Sequence, residues 1–189
     1  MVKTFLCRES LTYDGSQLSP LWAFKRLGVQ GDSIVAFRGA CRVEAESLVD
    51  IADFKSGAII FSTDMLNFIA EHFENDLEKA VLRQRLLVAL TREVLEAGHL
   101  KARLSREGDD LFAGTGKLSV SIATITPVST MIHLGLNVTA QGAPVEAIGL
   151  LDLGLPEEAV FELARQVLDA YAEEMEGVGL ARCKVRGVW

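Results

Sequence analysis

Apolar residues recur at every second position over Leu118, Val120 and Ile122, and again over Ile132, Leu134, Leu136 and Val138. That is the period of strands, whose alternate side chains share a face. Lys117, Ser119, Ser121 and Ala123 interleave the first set, and Met131, His133, Gly135 and Asn137 the second. Directly opposed residues of an antiparallel pair lie on one face, so both apolar sets reach one core only when paired positions match in parity. A three-residue loop at Ile125, Thr126 and Pro127 meets that condition. It sets Ser119 opposite His133 and Lys117 opposite Gly135, and leaves a second face of small and polar residues.

Elsewhere the pattern changes period. "VKTFLCRE" reads as an opening strand, "DSIVAFRGACRV" as a second, and "GAIIFS" as a short buried one. In "SPLWAFKRLG", Ser19 suits a helix cap, Pro20 the first turn and Gly28 the exit. "STDMLNFIAEHFEND" predicts an amphipathic helix, because Met65, Leu66, Phe68, Ile69 and Phe73 recur at three- and four-residue steps behind Thr63 and Asp64. The stretch after Asp76 predicts a long helix ending at Gly98, residues Lys101 to Val138 predict strands, and the stretch after Pro156 predicts a last helix. "LARCKVRGVW" reads as a closing strand or a tail. The order predicts a single α+β domain spanning residues 1–189, a mostly antiparallel sheet backed by helices.

Composition narrows the function. The 26 acidic and 19 basic residues give a net charge of -7, which argues against a general nucleic-acid binder. Three widely spaced cysteines, Cys7, Cys41 and Cys183, form no zinc-type cluster and fit a reducing compartment. No apolar run approaches a membrane span or a signal sequence, so a cytoplasmic protein without a membrane partner is expected. The reading leaves room for a homodimer.

The polar strand face is either wetted by solvent or the floor of a pocket. One cation among Ser119, Ser121, Gly135, His133 and Asn137 allows close approach of a ligand, and Lys117 would give a small anion its counter-charge. His133 reads either as a hydrogen-bonded structural residue or as a general base. Asp109 and Asp110 read as a solvated turn or as a magnesium pair. Tyr13, Asp14, Gln17 and Trp22 crowd one loop, which is either a turn beside a core tryptophan or a ligand lid.

The segments "GDDLFAGTGKLSVSIAT", "IHLGLNV", "YDGSQL", "GDSIVAFRG", "RQRLL" and "KVRGV" resemble the prokaryotic family called domain of unknown function 366. The family's fold resembles the catalytic domain of lipoate- and biotin-protein ligases, related to class II aminoacyl-tRNA synthetases. That resemblance implies an adenylate-forming acyl ligase or transferase using ATP and magnesium. Lys117 would contact the acyl-adenylate, Asp109 and Asp110 would hold the metal, and His133 and Asn137 would orient the substrate. The Arg-rich triple-glycine segment of lipoate ligases has no counterpart, although "FRGACR" offers Arg38 as a ligand contact. A non-catalytic small-molecule-binding protein on the same scaffold is the alternative.

Overall fold

A computed structural model of the chain describes residues 1–57, 59–98, 100, 102–143 and 145–188. Ala58, Lys101 and Trp189, which belong to expected elements, lie outside the described residues. Along the chain run β1 (Lys3–Leu6), α1 (Trp22–Leu27), β2 (Ser33–Val43), α2 (Ile51–Ser56), β3 (Ile60–His72) and α3 (Leu77–Glu96). There follow β4 (Ser105–Glu107), β5 (Asp110–Ala113), β6 (Gly116–Lys117), β7 (Ser119–Ile125), β8 (Thr130–Asn137) and α4 (Val160–Ala181). The main sheet has the order β1-β2-β3-β8-β7, with only the β1–β2 pairing parallel, and β4-β5-β6 form a small second sheet. The α+β class is as the pattern predicts.

Both long helices pack on one face of the main sheet, α3 over β7 and β8 and α4 over β1 and β2. Their buried stripes, including Ala80, Leu87, Val88 and Leu95 on α3 and Leu163, Val167 and Tyr171 on α4, meet Ile34, Leu66, Phe68, Ile132 and Leu134. Asp76 caps α3, the long helix expected after it, by accepting from the Lys79 amide at 3.0 Å. The opposite face carries Val35, Phe37, Cys41, Met65, Ile69 and Met131, packed against Tyr13 and Ala23. The central strands are therefore buried on both sides.

That two-sided burial corrects the helix expected at residues 62–76. A strand covered on both faces carries an almost continuous apolar run, and in Met65 to Phe73 such a run mimics helical spacing. Met65 and Ile69 face one way, Leu66, Phe68 and Ala70 the other. Of the short strand expected at residues 57–62, Gly57 instead caps α2 and Ile60 to Ser62 begin this β3, with Ile59 and Phe61 exposed rather than buried. After α4, residues 182–188 form a tail and no strand.

The hairpin register also differs from expectation. The connection holds four residues, Thr126 to Ser129, closed by the Thr126 amide donating to the Ser129 carbonyl at 2.7 Å, and Ile125 pairs with Thr130. An even loop reverses the parity. Val120 stands opposite Gly135 and Ile122 opposite His133, while Ser119 and Ser121 stand opposite Leu136 and Leu134. The serines survive there because each finds a partner: Ser119 Oγ accepts from the Leu111 amide at 2.8 Å, and Ser121 Oγ accepts from Gln84 of α3 at 2.7 Å.

Residues 11–29 cover part of the second face. Leu11 and Tyr13 run along the edge of β2, donating to the carbonyls of Arg38 at 3.1 Å and Ala40 at 2.9 Å. The approach is so close that a Cβ at Gly39 would lie 2.2 Å from the Leu11 carbonyl oxygen. At the other end Glu71, buried, accepts from both the Leu21 amide and the Ser129 hydroxyl at 2.8 Å. Leu21 takes φ 63°, and α1 starts at Trp22 rather than on a Ser19 cap. The left-handed turn at Leu21 is what aims its amide at Glu71. Gly28 caps the exit as expected, with φ 72°.

Two expected outcomes follow from this frame. Gly39→Ala should lower stability by about 1–3 kcal/mol in urea unfolding, since backbone rather than a side chain must yield; a change below 0.5 kcal/mol would show the approach to be looser. Asp32 accepts from the Phe73 amide at 2.9 Å and meets His72 Nδ1 at 3.4 Å, while His72 Nε2 meets the Tyr171 hydroxyl at 2.8 Å. The His72 bond above all lowers the Asp32 carboxyl from 3.8 to about 2. Its contribution is complete above pH 3.8 and lost as pH falls towards 2. Unfolding at stepped pH should show a slope in that window that is shallower in Asp32→Asn.

Candidate functional site

On the face away from α3 and α4, bordered by Tyr13 and Leu18 of residues 11–29, lies a cavity of about 540 Å³. Met65, Val120, Ile122 and His133 from the sheet line it, and Val43, Leu48, Ile60 and Phe61 from β2, β3 and their connection make its apolar side. Its polar wall comes from three places: Asp109, Asp110 and Lys117 of the small sheet and its turn, Asp50 and Asp53 of α2 and its cap, and Glu146. The reversed register thus makes the β7 floor apolar instead of small and polar.

Lys117 belongs to β6, not to a strand beside β8, yet its side chain and that of His133 line the same cavity. Its backbone is held on both edges. It pairs with Phe112 on one side, and on the other its amide donates to the Glu146 carbonyl at 2.9 Å while its carbonyl accepts from the Ile148 amide at 3.1 Å. Asn137 Nδ2 also donates to that carbonyl, at 3.2 Å. The ammonium expected to meet a small anion has a carboxylate of the chain as partner: Lys117 Nζ lies 2.8 Å from Asp110 Oδ2. Burial, the largest cause, raises the Asp110 pKa above its ordinary value; Asp109 and Asp53 add to the rise and Lys117 opposes it.

Asp109 turns away from Asp110. Its carboxylate accepts from Gln84 Nε2 at 2.8 Å and from Ser121 Oγ at 3.2 Å, and Arg85 stands 3.4 Å from it. The two aspartates are drawn to opposite partners, so they do not form a ready-made magnesium pair. Among the described residues no group of three or more His, Cys, Asp or Glu side chains is arranged to hold a metal ion.

His133 is fixed by its neighbours. Asn67 Nδ2 donates to the Met65 carbonyl at 3.1 Å, which orients the amide and presents Oδ1 to His133 Nε2 at 3.0 Å. Nε2 therefore carries the proton and Nδ1 is an acceptor. Tyr13 stacks on the ring with centroids 3.6 Å apart and planes 12° apart. Burial pushes the imidazole down to about 3. It is neutral near pH 7 and a poor general base there. Gly135 makes room for this arrangement, since a Cβ would lie 2.3 Å from Met65 Sδ and 3.3 Å from His133 Cε1.

Of the other expected ligand contacts, Ser121 and Asn137 reach the cavity, and Ser119 is buried beneath β5. Gln17 closes its own loop by donating to the Thr12 carbonyl at 3.0 Å. Arg38 points to the helix side, ion-paired with Asp64 and Glu157, and lies outside this cavity. Sequence reasoning missed Asp50, Asp53, Glu146 and the apolar side wall. Asp50 is legible only as a helix cap, accepting from Ala52 and Asp53 amides at 2.8 and 3.0 Å.

A model of a family described as a domain of unknown function, DUF366, matches residues 2–186. The chain belongs to the DUF366 family. An uncharacterized protein of Methanocaldococcus jannaschii is 43% identical over 177 residues, covering 90% of this chain and 78% of its own length. The solved structure of a protein of unknown function from Pyrococcus horikoshi is 39% identical, covers 100% of both chains and superposes with a TM-score of 0.92. A biotin protein ligase from Aquifex aeolicus, in complex with biotin and ATP, is 16% identical over 93% of this chain and 71% of that one, with a TM-score of 0.56. Lipoate-protein ligases have a similar fold. At such identity the likeness of this DUF366 chain to the ligases is one of fold. Among the described residues no helix is long and apolar enough to cross a membrane.

Removing the Lys117 charge leaves Asp110 half-buried without its counter-ion. Lys117→Met should therefore cost about 1–3 kcal/mol at neutral pH, and less at acid pH once Asp110, whose carboxyl pKa burial raises, is protonated. NMR titration should place the Asp110 carboxyl higher in the variant than in the wild type, and Lys117→Met with Asp110→Asn should recover most of the loss. Equal stability of wild type and Lys117→Met at pH 7 would show that the pair contributes nothing.

Proposed function

We propose that this DUF366 protein binds a small molecule, its apolar body against Met65, Val120, Ile122 and Phe61 and its polar head at the Lys117–Asp110 pair. The observation that carries this reading is a formed cavity, mostly apolar, that ends in an ion pair and an unused histidine nitrogen. Its volume, about 540 Å³, suits a ligand of ordinary metabolite size. Burying about 250 Å² of apolar ligand surface contributes roughly 6 kcal/mol before the cost of association. Micromolar affinity for a compact apolar probe is the expected scale.

N-phenyl-1-naphthylamine, neutral at pH 7 and fluorescent in apolar surroundings, tests this directly. One saturable site is expected in the wild type. Ile122→Trp, which fills the floor, should weaken it at least 10-fold while leaving thermal unfolding within a few degrees. No saturable site, or equal binding in the variant, would refute the cavity reading.

A second reading, an adenylate-forming acyl ligase or transferase, is favoured by the fold likeness and by a lysine on the cavity wall. ATP and magnesium would supply activation of the acid, and Lys117 would have to release Asp110 to hold the acid's carboxylate. The carboxylates along the wall oppose a polyphosphate unless cations screen it. Stabilisation by millimolar ATP and magnesium that disappears in Asp110→Asn would favour the ligase; no shift in either protein favours binding alone.

A further inference from the structure

The cavity's charges do not suit the anion that a lone lysine suggests. Among the described residues its lining includes five carboxylates, Asp50, Asp53, Asp109, Asp110 and Glu146, against one ammonium, Lys117. Lys117 is matched by Asp110 at 2.8 Å, Asp109 is engaged by Arg85 and Gln84, Asp50 caps α2, and Glu146 accepts from the Thr115 hydroxyl. The Asp53 carboxylate has no side-chain partner among the described residues. It lines the same cavity as Asp110, and its charge adds to the rise of that carboxyl's pKa.

The second observation lies on the floor. His133 is only 3% exposed, uses Nε2–H on Asn67, and keeps Nδ1 as an acceptor with no partner among the described residues. The cavity thus offers acceptors at its floor and along its wall. A carboxylate ligand would have to break the Lys117–Asp110 pair and leave Asp110 unpaired beside Asp53 and Asp109. A cationic head breaks nothing and gains Asp53 and the outer side of Asp110.

Resting on the cavity reading, we propose that the ligand is an amphipathic amine: an apolar body on the sheet, with a protonated nitrogen held at Asp53 and Asp110. This differs from the carboxylic acid that the ligase reading requires. The chemistry is non-covalent, and the ammonium stays protonated throughout.

Three probes with one body and different heads separate the readings: octylamine, octan-1-ol and octanoate, titrated calorimetrically into the intact chain at pH 7.5. Octylamine should bind at least 10-fold more tightly than octan-1-ol, with octanoate weakest. Asp53→Asn, which removes a charge that holds no other side chain, should weaken octylamine at least 3-fold and leave octan-1-ol unchanged. Raising sodium chloride from 50 to 300 mM should weaken the amine alone. Tighter binding of octanoate, equal affinities for the three probes, or octylamine affinity unchanged in Asp53→Asn would each overturn the amine while leaving the cavity reading in place. Absence of saturable binding by all three would overturn the cavity reading itself, and the amine with it.

Discussion

A strand buried on both faces must find cover on both, and β2, β3 and β8 make that demand of the whole chain. Two amphipathic helices satisfy one face completely. The other is met by residues 11–29, a shorter segment that reaches only part of the way. What it leaves uncovered is roofed and walled by the β2–β3 connection and by Ala143, Val145, Glu146 and Ala147. The cavity is thus the part of the second face that the chain does not fill.

Where that cover ends is decided by close contacts rather than by area. Gly39 lets the Leu11 carbonyl approach β2, and Tyr13, two residues on, then lies flat against His133. His133 is tied in turn to Asn67 of the central strand, whose amide is fixed by its own neighbour. A backbone approach at the sheet edge therefore brings Tyr13 onto a ring of the cavity floor, and Asn67 sets that ring's tautomer. Such a chain of packed and hydrogen-bonded groups is stiff, because each member has one arrangement that satisfies its polar atoms.

Charge on the wall follows a different logic. Lys117 is clamped through its backbone and neutralised through its side chain, so its presence in a cavity does not by itself signal an anion. The β4–β5 turn brings Asp109 and Asp110 together, but Gln84, Ser121 and Arg85 draw one away while Lys117 draws the other. The surplus of carboxylates is a property of the assembled wall. The biotin- and lipoate-ligase fold supplies the platform, and these side chains set what it can hold.

The sequence by itself determined the long helices, the Gly28 exit and the α+β class, and it grouped Lys117, His133 and Asn137, which line one cavity. Those features rest on local propensity, on caps and on alternation, which act within a few residues. It misread β3, because burial on both faces erases the alternation that marks a strand. It also set the β7–β8 register one parity off, because a loop of four residues rather than three turns on the Thr126–Ser129 hydrogen bonds. Only the tertiary structure decided that Arg38 serves the helix side, that Asp110 answers Lys117, and that Asp53 and Glu146 join the wall. Those outcomes depend on where distant segments return over the sheet, and no spacing within a segment records that.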